Sequence, residues 1–141
     1  MTARPRSDGA GKFAVFIVEG DGRVRRGIRS IIESFPNLEV VEEAVSARAA
    51  LELVEHAPGS VVIVDLDPSR AAEDLQMVRE LRRKGCSVVA MSGRSGLGAA
   101  ALAAGAVAFV QKDERGAARL VDAIHAAAIE LKQSPNRNDP T

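Results

Sequence analysis

The sequence predicts an α/β fold, a doubly wound parallel sheet with helices on both faces. Three observations lead there. Short runs rich in Val and Ile recur along the chain. Stretches with apolar residues at helical spacing separate them. Each apolar run then stops on polar, turn-forming residues. Short unbroken apolar runs suit strands buried on both faces, and strand–helix alternation demands right-handed crossovers between parallel strands.

Residues 1–12 are rich in Gly, Ser, Pro and Arg and read as a flexible N-terminal tail. Phe13-Ala14-Val15-Phe16-Ile17-Val18 is the first strand, ending at Glu19-Gly20-Asp21-Gly22. Val24, Ile28, Ile31 and Ile32 then share one helical face, with arginines on the other. Phe35-Pro36-Asn37 stops that helix. Leu38-Glu39-Val40-Val41-Glu42-Glu43-Ala44 alternates in part and suits a more exposed second strand. Ser46 caps a helix whose inner face is Ala47, Ala50, Leu51 and Val54. After Pro58-Gly59, Val61-Val62-Ile63-Val64-Asp65 is the third strand. Leu75, Val78 and Leu81 mark a third helix that ends at Lys84-Gly85. Residues 87–91 form the fourth strand, closed by Ser92-Gly93. An alanine-rich helix over 97–104 ends at Gly105. Residues 106–110 are the fifth strand, followed by Gln111-Lys112-Asp113. The last helix carries Leu120, Val121, Ile124, Ala127, Ala128 and Leu131 on one side. Residues 133–141 form a polar tail, leaving one domain over 13–132 with no internal repeat.

Composition narrows the function. Of 141 residues, 46% are hydrophobic and 27% charged, within the globular range. Lys+Arg and Asp+Glu are each 19, so no basic excess drives binding to a phosphate backbone. The clusters Arg23, Arg25, Arg26, Arg29 and Arg79, Arg82, Arg83, Lys84 read as solvated helix faces. Four Phe without Trp or Tyr give few stacking platforms. The single cysteine, Cys86, leads into an apolar run and reads as a buried, inert thiol. His56 and His125 lack partners at metal-ligand spacing. No run reaches the roughly 18 apolar residues of a membrane span, and no apolar core of a secretory signal follows Met1, so a cytoplasmic protein is expected. Neither a G-x-x-x-x-G-K-[ST] loop nor a G-x-G-x-x-G turn after a strand is present. The glycines of Gly93-Arg94-Ser95-Gly96-Leu97-Gly98 read as a mobile loop.

Parallel strands deliver their carboxyl ends to one edge, where open α/β sheets bind ligands. The first strand brings Glu19 and Asp21, the third Asp65 and Asp67, the fourth Ser92 and the fifth Lys112. Asp65 by itself reads equally well as a strand cap. Neighbouring carboxylates repel unless a cation intervenes, and an all-oxygen donor set suits a hard cation such as Mg²⁺. A lysine supplies a point charge for a phosphoryl oxygen. Together they suit an aspartyl phosphate, with Asp65 as nucleophile.

Several segments, in this order and at these spacings, resemble the receiver domains of bacterial two-component response regulators. They are Ile17-Val18-Glu19-Gly20-Asp21, Val24-Arg25-Arg26-Gly27-Ile28, Val62-Ile63-Val64-Asp65-Leu66-Asp67 and Met91-Ser92-Gly93. Ala101-Leu102-Ala103-Ala104-Gly105-Ala106 and Phe109-Val110-Gln111-Lys112-Asp113 complete the set. The resemblance covers about 13–132. It implies a flavodoxin-like (βα)5 sandwich with strand order 2-1-3-4-5. It implies Asp65 as phosphoacceptor, Ser92 binding the phosphoryl group, Lys112 pairing with it and Phe109 as the switch aromatic. Mg²⁺ would be held by Glu19, Asp65 and the backbone carbonyl of Asp67, with Asp21 a further candidate. The implied partner is a histidine kinase or phosphotransfer protein, and the chain is expected not to be an enzyme beyond self-phosphorylation and autodephosphorylation.

A homodimer through helix 4, strand 5 and helix 5, or through helices 1 and 5, is a further candidate. No membrane contact is expected. Few residues follow Lys132, so DNA binding is expected only through an output domain outside this chain. The alanines of 99–104 and 123–128 read either as docking surface or as helix-forming filler.

The sequence also departs from the family. Gly20 stands where the second acid, a metal ligand, is usual; Pro68 comes one residue early; Glu73 replaces a usual glycine. The acidic pocket is therefore expected to be atypical. The alternative reading is a phosphorylation-independent interaction module, followed by a flavodoxin-like enzyme or nucleotide binder.

Overall fold

The computed structural model describes residues 13–54, 59–113 and 115–133. Strands and helices alternate five times: β1 Phe13–Val18, α1 Gly22–Glu33, β2 Leu38–Ala44, α2 Ala47–Val54, β3 Val61–Asp65, α3 Ala71–Arg83, β4 Ser87–Ser92, α4 Gly98–Ala104, β5 Ala108–Gln111 and α5 Gly116–Gln133. All strand pairs are parallel, in the order β2-β1-β3-β4-β5. This is the flavodoxin-like (βα)5 arrangement expected from the sequence. The expectations for residues 1–12, His56 and 134–141 lie outside the described residues.

The sheet is buried on both faces, and its side chains divide with the two-residue period of a strand. Val15, Ile17, Val61, Ile63, Val89 and Val110 pack beneath Ile28 and Ile32 of α1 and Leu120, Ile124 and Ala127 of α5. Phe16, Val18, Val62, Val64, Val88 and Ala90 pack on the other face against Met77, Val78 and Leu81 of α3 and Ala101 and Ala104 of α4. Cys86 is fully buried in that second layer, as its sequence context predicts. His125 packs edge-on against Phe35, ring centroids 5.4 Å apart.

Three details differ from the sequence-based expectation. β5 begins at Ala108 because the Ala106 amide donates to Ala101 C=O and closes α4 instead. β2 carries a bulge: Val15 faces Val40 while Phe16 faces Glu42, leaving Val41 unpaired at the sheet edge. Several alanines with docking potential are interior, since Ala101, Ala104, Ala123, Ala127 and Ala128 are all buried in this domain's own core.

Arg82 ties the two helical layers together. Its Nη1 donates to Glu130 Oε1 on α5 at 2.9 Å, and Ser87 Oγ of β4 donates to the same oxygen at 2.8 Å. Gly105 lies against this arginine. Its φ is +117°, and a Cβ there would come within 2.9 Å of Arg82 Cγ. Gly105→Ala combines backbone strain with a clash, so it should destabilise the fold by roughly 1–3 kcal/mol. A lowered midpoint in urea unfolding checks this; an unchanged midpoint would contradict it.

Candidate functional site

The carboxyl ends of β1, β3, β4 and β5 meet at one rim, and backbone bonds beyond the strands set their spacing. The Glu19 amide donates to Ala44 C=O at 3.0 Å, Leu66 to Met91 C=O at 2.7 Å and Lys112 to Ser92 C=O at 2.9 Å. These bonds bring three of the expected side chains into direct contact. Lys112 Nζ lies 2.6 Å from Asp65 Oδ1 and 3.1 Å from Glu19 Oε1. Glu19 is almost wholly buried, and its other oxygen accepts from the Asp21 amide at 3.1 Å. Asp65 Oδ2 has no hydrogen-bond partner among the described residues.

Ser92 is fully buried at the end of β4. Its Oγ accepts from the Arg94 amide at 3.1 Å, and its proton has no acceptor among the described residues. Phe109 is partly buried against the layer beneath α3 and α4. A Cβ at Gly98 would come within 3.1 Å of Phe109 Cδ2, so the glycine leaves room for the ring.

Charge at the site follows from burial and pairing. Burial pushes the Asp65 carboxyl above its ordinary value, against the opposing pull of Lys112, and the Glu19 charge adds to the rise. Burial draws the Lys112 ammonium down, but bonds to Asp65 and Glu19 outweigh it and the net shift is upward. Lys112 thus stays charged between two carboxylates.

Asp21 and Asp67 both cap helical turns. Asp21 is the N-cap of α1: its Oδ1 accepts from the Arg23 and Val24 amides at 2.8 and 3.3 Å. Those two bonds, Val24 first, hold its carboxyl below the ordinary range. Asp67 caps the 3₁₀ turn Pro68–Arg70, its Oδ1 accepting from the Ser69 amide and hydroxyl at 2.9 and 2.7 Å. The Asp67 carbonyl accepts from the Arg70 amide at 2.9 Å.

The sequence reading missed one functional candidate. Asp74, in the first turn of α3, is only 5% exposed, and its Oδ2 accepts from the Asp67 amide at 2.7 Å. Burial raises its carboxyl above the ordinary value, while the Asp67 amide and Arg70 oppose the rise. Its signal was present: Asp74 stands on the stripe of α3 that buries Val78 and Leu81 four and seven residues on. Asp74 lines a cleft of about 240 Å³ together with Glu19, Gly20, Asp65, Asp67 and Arg70.

Several of the atoms expected to hold Mg²⁺ have protein partners of their own. Gly20 offers no side-chain donor, Asp21 is spent on a helix cap, and the Asp67 carbonyl closes a turn. Glu19 and Asp65 share the Lys112 ammonium, and no three His, Cys, Asp or Glu side chains among the described residues gather as a metal-binding group.

The chain matches the family model of the response regulator receiver domain over residues 15–125. The chain belongs to the response regulator receiver family. It is 34% identical over 115 residues to protein-glutamate methylesterase/protein-glutamine glutaminase 3 of Paramagnetospirillum magneticum, covering 79% of this chain and 32% of that protein. It is 32% identical over 120 residues to the nitrate/nitrite response regulator protein NarP of Escherichia coli, covering 82% of this chain and 55% of that protein. It therefore spans about a third and about half of those two relatives. Among solved structures, a LuxR-family two-component response regulator from Aurantimonas sp. superposes with a TM-score of 0.72 at 28% identity, covering 83% of this receiver and 85% of that chain. The signal receiver domain of the NarL regulator from Mycobacterium tuberculosis gives 0.71 at 26%, with coverages of 84% and 97%. Receiver domains are in general signalling modules rather than enzymes and typically bind Mg²⁺. No helix among the described residues is long and apolar enough to cross a membrane.

Because the folded-state pKa of Asp65 lies above its ordinary value of 3.8, the folded protein binds that proton more tightly than the unfolded chain. The stability this confers is complete below 3.8 and is lost as pH rises through the raised value. Asp65→Asn removes the buried charge but keeps an acceptor for Lys112. The variant should melt above the wild type at neutral pH, with the gap closing toward pH 3.8. A gap that widens on acidification would contradict the assignment.

Proposed function

We propose that this receiver accepts a phosphoryl group on Asp65 from a histidine kinase or phosphotransfer protein. The observation that carries the reading is the Lys112 ammonium 2.6 Å from Asp65 Oδ1, at a strand end bordering an open cleft. An Asp65 carboxylate oxygen attacks the phosphorus of a phosphohistidine. A new P–O bond forms, the P–N bond breaks, and the imidazole nitrogen keeps the electron pair and takes a proton from water. Lys112 offsets the charge that arrives, and the Ser92 hydroxyl supplies a donor for a phosphoryl oxygen. Phe109, paired in register with Ala90 two residues before Ser92, is the proposed reporter of the change. The expected outputs are protein contacts, including a homodimer through α4, β5 and α5 or through α1 and α5. DNA binding would require an output domain outside this chain, and a cytoplasmic location suits this role.

A second reading is favoured by Gly20 and by the committed metal donors: a receiver that works as a phosphorylation-independent interaction module. Intact mass after incubation with acetyl phosphate and Mg²⁺ separates the two. The first reading expects one phosphoryl adduct on the wild type, none on Asp65→Asn, and slower formation on Lys112→Met. A wild type that stays unmodified supports the second.

Gly20 itself has room for a side chain, since a Cβ there would meet only Val45 O at 3.7 Å. Gly20→Asp should therefore fold normally and place a carboxylate beside Glu19 and Asp65. Calorimetric titration should show Mg²⁺ affinity rising by roughly tenfold or more, the scale of one added charge–charge interaction at a partly buried site. Unchanged affinity would show that the loop after Asp65, not the missing carboxylate, limits binding.

A further inference from the structure

Asp74 has no place in the phosphoacceptor reading, yet it is the most buried carboxylate of the cleft apart from Glu19. Its surroundings do little to balance its charge. Lys112 is already shared by Asp65 and Glu19. Arg70 lies on the same cleft, but its side chain is 59% exposed and its Nε is 3.8 Å from Asp67 Oδ2. Such an exposed, loose pair contributes little. Among the described residues, the one hydrogen bond that Asp74 accepts comes from the Asp67 amide, at 2.7 Å. That amide lies two residues beyond Asp65, in the loop an incoming phosphoryl group would face. A neutral donor that a tetrahedral anion could use is thus held by a resident carboxylate.

We infer that Asp74 is a built-in anion of the cleft, which occupies the Asp67 amide and opposes the arrival of a second anion beside Asp65. This rests on the phosphoacceptor reading for its purpose, but its physical content is separate. It concerns how strongly the cleft takes any tetrahedral anion. Asp74 is a positioning residue, since nothing requires it to touch the reacting atoms. Like charges in a partly buried site weaken anion binding by an amount the surrounding dielectric sets. Removing one unit of negative charge should therefore strengthen anion binding on the order of tenfold.

Two substitutions separate charge from loop support. Asp74→Asn keeps a carbonyl oxygen for the Asp67 amide and removes the charge. Asp74→Ala removes both. The probe is inorganic phosphate, titrated into the full chain and followed by the amide resonances of Asp67 and Ser92. The inference expects Asp74→Asn to bind phosphate about tenfold more tightly than the wild type, with the loop resonances otherwise in place. Equal affinity of Asp74→Asn and wild type overturns it. So does tighter binding by Asp74→Ala alone, which would make Asp74 a loop support, and so does the absence of binding to wild type and variants alike. Acetyl phosphate adducts on the same proteins, with Asp65→Asn beside them, keep the two ideas apart. Adducts at Asp65 with unchanged phosphate affinity would end the inference and leave the phosphoacceptor reading standing. Tighter phosphate binding by Asp74→Asn without adducts on any variant would do the reverse.

Discussion

One ammonium group holds the functional rim together. Glu19 and Asp65 end neighbouring parallel strands, so the sheet forces two carboxylates together at a buried edge. An uncompensated charge in such a place costs several kcal/mol, and leaving two side by side costs more. Lys112 answers both, arriving from β5 at the far side of β4. Its reach depends on backbone bonds rather than on side-chain freedom. The bond from the Lys112 amide to Ser92 C=O extends the β4–β5 ladder one step and fixes where the lysine stem starts.

Around that centre, carboxylates have been divided between folding and chemistry. Asp21 starts α1, Asp67 starts a 3₁₀ turn, and Asp65 pairs with Lys112 through Oδ1 at the strand end. Burial raises Asp65 and Asp74, while hydrogen bonds to backbone amides lower Asp21. The same residue type therefore takes three electrostatic roles within one rim. Which role applies is set by the donors within reach, not by the residue's identity.

The fold was almost fully legible in the sequence because burial on both faces leaves an unbroken signature. Val61-Val62-Ile63-Val64 is apolar at every position since alternate side chains enter different layers. The meeting of Asp65, Ser92 and Lys112 at one edge was legible for the same reason: parallel strands have only one carboxyl edge. What stayed hidden were choices among equivalent local partners. That Asp21 Oδ1 caps α1 through the Arg23 and Val24 amides was one such choice. Asp74 drew no reading from the sequence, although it lies on the buried stripe of α3 with Val78 and Leu81. Only the course of the loop from Leu66 to Arg70 shows that it faces inward to the Asp67 amide. The alanines of α4 and α5 left two readings open for a related reason, because alanine serves a close-packed helix interface as readily as an exposed one.

The clamp formed by Arg82, Glu130 and Ser87 sits at the opposite end of the molecule, where β4 begins. It bolts α3 on one face of the sheet to α5 on the other. Among the described residues, no salt bridge between α3 and α5 lies at the rim around Asp65. The domain is thus mechanically asymmetric, like a book bound along one edge. A charge placed at the edge near Asp65 therefore lies far from the one cross-sheet ion pair that ties α3 to α5 among the described residues.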